Sequence, residues 1–251
     1  MTYDFSDRHV LVTGAGRGLG RHLAEHLASL GATVGIADID GDNARAAAAA
    51  VERSGGKALA YAADVGDRDE FFGMARDFAA QGGRIDAIVN NAMILHYCPI
   101  EDVETERLAA MLDVGIKALF WSAQALLAHY DAERGACMIN VASPVASRGF
   151  PNTSAYSTVK GAVVAFTRTL AAELGPRGIR VNAVSPASVP TPGALGLNSL
   201  EVYEKRAASI PLRRNGTQED HSKAVAFLLS DDASFVHGEI LNVDGGVAAC
   251  A

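Results

Sequence analysis

The chain has 251 residues, a net charge of −7 with histidine neutral, and 49% hydrophobic residues. That length suits one large α/β domain or two small ones, and acidic charge without a basic cluster argues against nucleic-acid binding. No segment reads as long and charge-free enough to span a bilayer, and the polar opening "MTYDFSDRHVLVTG" does not read as a signal peptide.

Three scattered cysteines, Cys98, Cys137 and Cys250, suit a reducing compartment better than a disulfide framework or a metal site. The expectation is a cytoplasmic protein with no metal, membrane or nucleic-acid partner.

Short β-branched runs alternate with alanine-rich helical ones. The strand candidates in chain order are "HVLVT", "ATVGIAD", "KALAYAAD", "IDAIVNN", "ACMINVAS", "IRVNAVS" and "GEILNVDGG". Helices are expected near 18–30, 41–54, 67–80, 102–130, 154–175 and 218–230. Near-continuous apolar strands separated by helices indicate a parallel sheet covered on both faces, wound doubly by right-handed crossovers. No linker or repeat divides residues 1–251, which read as a single domain. The stretch 187–215 breaks the rhythm with its prolines and glycines, as substrate lids at strand ends do.

Residues 13–20, "TGAGRGLG", follow the first strand and open the first helix. Glycines at 14, 18 and 20 permit a tight turn and close approach to a pyrophosphate at a helix N-terminus. The spacing is G-x-x-x-G-x-G, and a glycine-rich turn alone also suits an ordinary tight loop. The next strand, however, ends at Asp38, where a carboxylate can meet the adenosine ribose hydroxyls. Asp38 would repel a 2′-phosphate, which favours NAD over NADP, while Arg17 would soften that preference. "AADV" sets Asp64 and Val65, and "IVNNA" sets Asn90 and Asn91, at further strand ends. Asp64 also suits a simple turn.

Tyr156 and Lys160 in "YSTVK" stand one helical turn apart on one face. A free phenol titrates near 10, and a neighbouring ammonium joined by an oxidised nicotinamide would lower that value. Two units of lowering need only about 2.7 kcal/mol. Ser143 ends the strand "CMINVAS" and could donate to a substrate oxygen while Tyr156 exchanges the proton. An isolated Tyr-x-x-x-Lys is most often a surface pair, so this one gains force from its setting.

Together "TGAGRGLG", "DV" at 64–65, "NNA" at 90–92, Ser143, "YSTVK", "RVNAVSP" and "VDGG" strongly resemble the classical short-chain dehydrogenase/reductase family over essentially the whole chain. The resemblance implies a seven-stranded Rossmann-type fold and hydride transfer between a nicotinamide and a secondary alcohol or ketone. It implies Tyr156 as acid/base, Lys160 as its modulator and Ser143 as substrate-oxygen donor. It implies cofactor contacts at Gly14, Arg17, Gly18, Leu19, Gly20, Asp38, Asp64, Val65, Asn90, Ala92, Tyr156, Lys160, Pro186, Val189 and Thr191. A homotetramer or homodimer packed through helices at 102–130 and 154–175 follows from the same likeness.

Three departures stand out. Gly115 in "DVGIKALF" replaces the family's usual asparagine, an anchor for water beside the lysine, and leaves room in which extra water could sit. A Gly115→Asn change that raised the rate would mark an impaired proton path. Met93 and Ala187 replace usual glycines. The substrate pocket is expected among His96, Val145 and Phe150, with Leu95, Tyr97, Pro144 and a lid from Ala194 to Tyr203. These mainly apolar residues suit a neutral small-molecule alcohol or ketone. The alternatives are an NADPH-dependent 3-oxoacyl-carrier reductase and a catalytically weakened nucleotide-binding protein.

Overall fold

The computed structural model describes residues 3–191 and 199–250. Seven strands form one parallel sheet: β1 (His9–Thr13), β2 (Thr33–Asp38), β3 (Lys57–Ala62), β4 (Ala87–Asn90), β5 (Ala136–Val141), β6 (Ile179–Pro186) and β7 (Ile240–Val243). Their order is β3-β2-β1-β4-β5-β6-β7, the doubly wound α/β arrangement expected. All six residues of central β5 are buried, whereas edge strand β3 alternates toward solvent. The pleat divides the core. Val10 and Val12 of β1 join a cluster with α1 (Gly18–Ser29), α2 (Gly41–Arg53) and α8 (Gln218–Leu229), while Leu11 joins α3 (Arg68–Gly82) on the other face. Phe71 and Phe78 of α3 are fully buried there, contributing about 2–3 kcal/mol each.

The helix ends follow from local chemistry. Asp40 caps α2 by accepting from the amides of Asp42 and Asn43, Asp67 caps α3 in the same way, and Thr217 with Asp220 forms a capping box on α8. The single helix expected over 102–130 is instead α4 (Thr105–Leu112), a π turn (Asp113–Lys117) and α5 (Ala118–His129). Gly115 at the centre admits the wide turn, and an ion pair of 2.6 Å between Asp113 and Lys117 spans it. α6 (Ser154–Leu174) agrees with expectation, but the excursion after β6 contains an unexpected helix, α7 (Leu200–Ser209).

One further expectation is corrected. By length and composition alone the helical run Thr105–His129 is apolar enough to cross a membrane. Here α5 buries Ala123, Ala125 and Leu126 in the core it shares with α3. Its outer face also carries apolar residues, Phe120 being 48% exposed, which raises the hydropathy of the whole run.

His221 of α8 is 1% exposed, and neither ring nitrogen has a hydrogen-bond partner among the described residues. Burial, helped by the neighbouring His22, holds its pKa down to about 4. The unfolded chain therefore binds the extra proton between roughly pH 6.5 and 4, and stability falls as pH drops through that window. His221→Leu should flatten this acid limb, sparing about 3 kcal/mol near pH 4. Urea melts of both proteins between neutral and acid pH check this, and parallel curves would refute it.

Candidate active site

Sheet order reverses about β1 and β4, so the loops leaving their carboxyl ends diverge and open a crevice. After β1 the backbone turns through Gly14 at φ 61° and Gly18 at φ 60°. A Cβ on Gly14 would lie 2.8 Å from Ala92 Cα, so only glycine lets this loop close on the one after β4. The two loops are stitched together. The Thr13 hydroxyl accepts from the amides of Asn91 (3.0 Å) and Ala92 (3.1 Å), and Asn91 Nδ2 donates to the carbonyls of Thr13 (2.9 Å) and Gly14 (3.0 Å). The sequence reading missed this bracing role of Thr13 and Asn91, although both stand inside its quoted motifs.

Unlike α2, α3 and α8, helix α1 begins without a side-chain cap: Arg17 makes none, and its first turn holds no acid. Its free N–H groups and glycine cradle fit a pyrophosphate. Asp38 is buried at the loop's flank, where Oδ2 accepts from the Gly16 amide (2.9 Å) and Oδ1 from that of Asp40 (3.1 Å). From the far side Thr191 approaches Gly18, 3.7 Å from where a Cβ would stand. Val189 is buried, and Pro186 pairs in register with Val243.

Two expected cofactor residues are also engaged elsewhere. Asp64 Oδ1 accepts from the Gly66 amide (2.8 Å), the turn role foreseen as its alternative. Asn90 Nδ2 donates to Ser122 Oγ and Asn140 Oδ1, both at 2.8 Å, which commits its amide nitrogen to the core.

At the carboxyl end of β5, Tyr156 and Lys160 share the buried face of α6. Lys160 Nζ donates to the carbonyl of Val141 (2.6 Å) and lies 5.7 Å from the Tyr156 ring centroid. Ser143 stands close enough to the Tyr156 phenol to act on its titration, so the three expected residues are brought together. Depth dominates the electrostatics of the pair. Burial, reinforced by Tyr97, raises the Tyr156 phenol above its ordinary value, and Ser143 only partly opposes this. Burial alone pushes the Lys160 ammonium down to about 8. Desolvation thus disfavours charge on both groups.

Tyr97 meets Tyr156 edge-on at 5.4 Å between centroids. Its loop is tied to the next by the Cys98 amide donating to the carbonyl of Asn152 (3.0 Å). His96 is half-buried beside Tyr97, Val145 lies in the short turn Pro144–Ala146, and Phe150 is 43% exposed under the Arg148 guanidinium. Lid residues 192–198 lie outside the described residues. The larger cavity, about 640 Å³, opens at the opposite edge of the sheet among Arg8, Ala87, Ala136 and Ile179. It takes no part in this site.

Gly115 overturns the expectation of extra room. A Cβ there would overlap a methyl of Val159 and stand 3.0 Å from Met93 Sδ. Only about 10 Å³ remains beside Lys160, and an asparagine would find no space.

The protein family described as enoyl-(acyl carrier protein) reductase matches residues 14–248. Cyclopentanol dehydrogenase of Comamonas sp. (strain NCIMB 9872) is 36% identical over 247 residues, covering 97% of this chain and 98% of that one. The crystal structure of 3-ketoacyl-(acyl-carrier-protein) reductase from Brucella melitensis complexed with NADH superimposes with a TM-score of 0.89 at 35% identity, covering 96% and 98%. That of 7α-hydroxysteroid dehydrogenase complexed with NADH and 7-oxoglycochenodeoxycholic acid gives 0.92 at 28%, covering 98% and 96%. With a seven-stranded doubly wound sheet, a glycine cradle for a nicotinamide dinucleotide and relatives over nearly its full length, the chain belongs to the short-chain dehydrogenase/reductase family of oxidoreductases acting on CH–OH groups.

Proposed function

We propose that this protein is an NAD-dependent dehydrogenase interconverting a neutral secondary alcohol and its ketone. The observation that carries the reading is the pairing of buried Tyr156 and Lys160 with half-buried Ser143 beside an uncapped, glycine-lined helix start. The bound nicotinamide supplies or accepts the hydride. In the oxidative direction Tyr156 Oη takes the alcohol proton as the C–H hydride leaves, and Ser143 Oγ donates to the same substrate oxygen. Lys160, oriented by Val141, holds the nicotinamide ribose. Burial raises the Tyr156 phenol, so proton transfer at its Oη needs a lowering that a positive charge beside it, such as an oxidised nicotinamide, would supply.

Asp38 sets the cofactor by accepting from the ribose hydroxyls and repelling a 2′-phosphate. Asp38→Asn keeps an acceptor for the Gly16 amide but removes the charge, so the preference for NAD over NADP should fall at least about tenfold in kcat/KM. An unchanged ratio would mean that the carboxylate does not meet the ribose.

Tyr97, Val145, Phe150 and His96 wall the substrate within one domain over 1–251. The apolar lining and the likeness to cyclopentanol dehydrogenase support cyclic or branched alcohols. Likeness to the Brucella reductase favours a second reading, reduction of a 3-oxoacyl thioester. We place the protein in the cytoplasm as a homodimer or homotetramer. Phe120 and Phe166, which meet edge-on at 4.9 Å between centroids on α5 and α6, supply an apolar meeting surface. Absorbance of reduced cofactor with NAD and a panel including cyclopentanol at mildly alkaline pH tests the proposal. Activity confined to NADPH with a 3-oxoacyl thioester would replace it with the second reading.

A further inference from the structure

Among the described residues one π turn occurs, Asp113–Lys117, packed against α6. Such turns are rare and cluster at functional sites. Its buried centre, Gly115, presents bare backbone to two side chains. An ideal Cβ would overlap the Val159 methyl and stand 3.0 Å from Sδ and 3.4 Å from Cε of Met93. Val159 immediately precedes Lys160, whereas Met93 follows the β4 loop that is stitched to the glycine cradle. Valine is stiff at χ1 and cannot yield in its packed site, but unbranched methionine fills irregular gaps. Beside this contact a cavity of about 10 Å³ is bounded by Thr13, Asn90, Gly115 and Lys160, room for about one water.

From this geometry we infer that Met93 is a positioning residue for Lys160: its thioether fills the volume left open by Gly115 and braces the π turn against Val159. It thereby fixes Gly115, which walls the small cavity shared with Lys160. The inference rests on the proposed role of Lys160 in the reaction. Shortening Met93 frees Gly115 to shift and lets the cavity it walls enlarge and admit water, which relieves the desolvation acting on Lys160. Shortening Gly115's other neighbour, Val159, instead creates room for a side chain at 115.

Four variants of the full chain test this: Met93→Ala, Met93→Leu, Gly115→Ala, and Gly115→Ala combined with Val159→Ala. Met93→Ala should lose about tenfold in kcat with NAD, as small misplacements of reacting groups do. Its NAD dissociation constant by calorimetry should stay within about twofold, and the alkaline pKa of its kcat profile should rise. Met93→Leu, close in volume, should restore the rate to within about twofold. Gly115→Ala should melt at lower temperature, and adding Val159→Ala should recover most of the loss.

A wild-type rate and pH profile in Met93→Ala would overturn the positioning role. A wild-type melting temperature in Gly115→Ala, or no recovery in the double variant, would overturn the steric account. Should the wild type bind NAD yet turn over no alcohol, the dehydrogenase reading and with it the kinetic role of Met93 fail. The melting cycle would still decide the shared volume.

Discussion

Tyr156→Phe should abolish NAD-dependent oxidation, lowering kcat by about a thousandfold or more, while NAD affinity changes little. The removed atom is the one hydroxyl that meets both Ser143 and, in the proposed mechanism, the substrate oxygen. General acid/base groups contribute about 10²–10⁴-fold, and His96 lies in the preceding loop beside Tyr97. The ring itself stays, so its edge contact with Tyr97 and its place on the buried face of α6 survive. Stopped-flow absorbance gives the rate, and calorimetry gives the affinity. Turnover within a few-fold of wild type would dispose of the mechanism while leaving the family assignment intact.

Lys160→Met should split activity from stability in opposite directions. Lys160 is 4% exposed, and burial holds its ammonium down to about 8 from an ordinary 10.5. The unfolded chain binds the proton more tightly than the folded one between roughly pH 8 and 10.5, so the charged lysine destabilises the fold throughout neutral pH. That cost is about 3 kcal/mol at pH 7, offset by about 1 kcal/mol for the hydrogen bond to Val141. Methionine keeps the apolar stem and removes the charge. The variant should therefore melt several degrees higher near neutrality, with an advantage that fades as pH climbs from 8 toward 10.5. Its kcat/KM with NAD should fall by at least about a hundredfold, since ribose positioning is lost with the ammonium. Melting curves across neutral and alkaline pH, alongside kinetics, check both halves. Equal melting temperatures at pH 7 would mean that the amine is well solvated in the fold and carries no burial cost.

The departures at 93 and 115 show where reading along the chain stops. Gly115 reads as a missing side chain and hence as spare room for water. In the fold the same position is pressed by Val159 and approached by Met93. The interruption of the long helix was equally invisible, because a π turn leaves the apolar pattern of "MLDVGIKALFW" unbroken and changes only the hydrogen-bond ladder. α7 escaped because its neighbours are rich in proline and glycine. The electrostatics of Tyr156 also depended on depth: helical spacing predicts that a cation sits one turn away, but it does not say that both groups are desolvated.

What the chain determined by itself was whatever repeats locally. Periods of two and 3.6, Asp and Thr at helix starts, and glycines between β1 and α1 specify the strands, most helices and the cradle, since each depends on neighbours within a few residues. The tertiary structure alone decided which ends meet. Thr13 bonds across to Asn91 and Ala92, Ser143 reaches Tyr156, and Val159 closes on Gly115. Those contacts join segments far apart in sequence. Sheet order and burial set them, and local propensity carries no record of either.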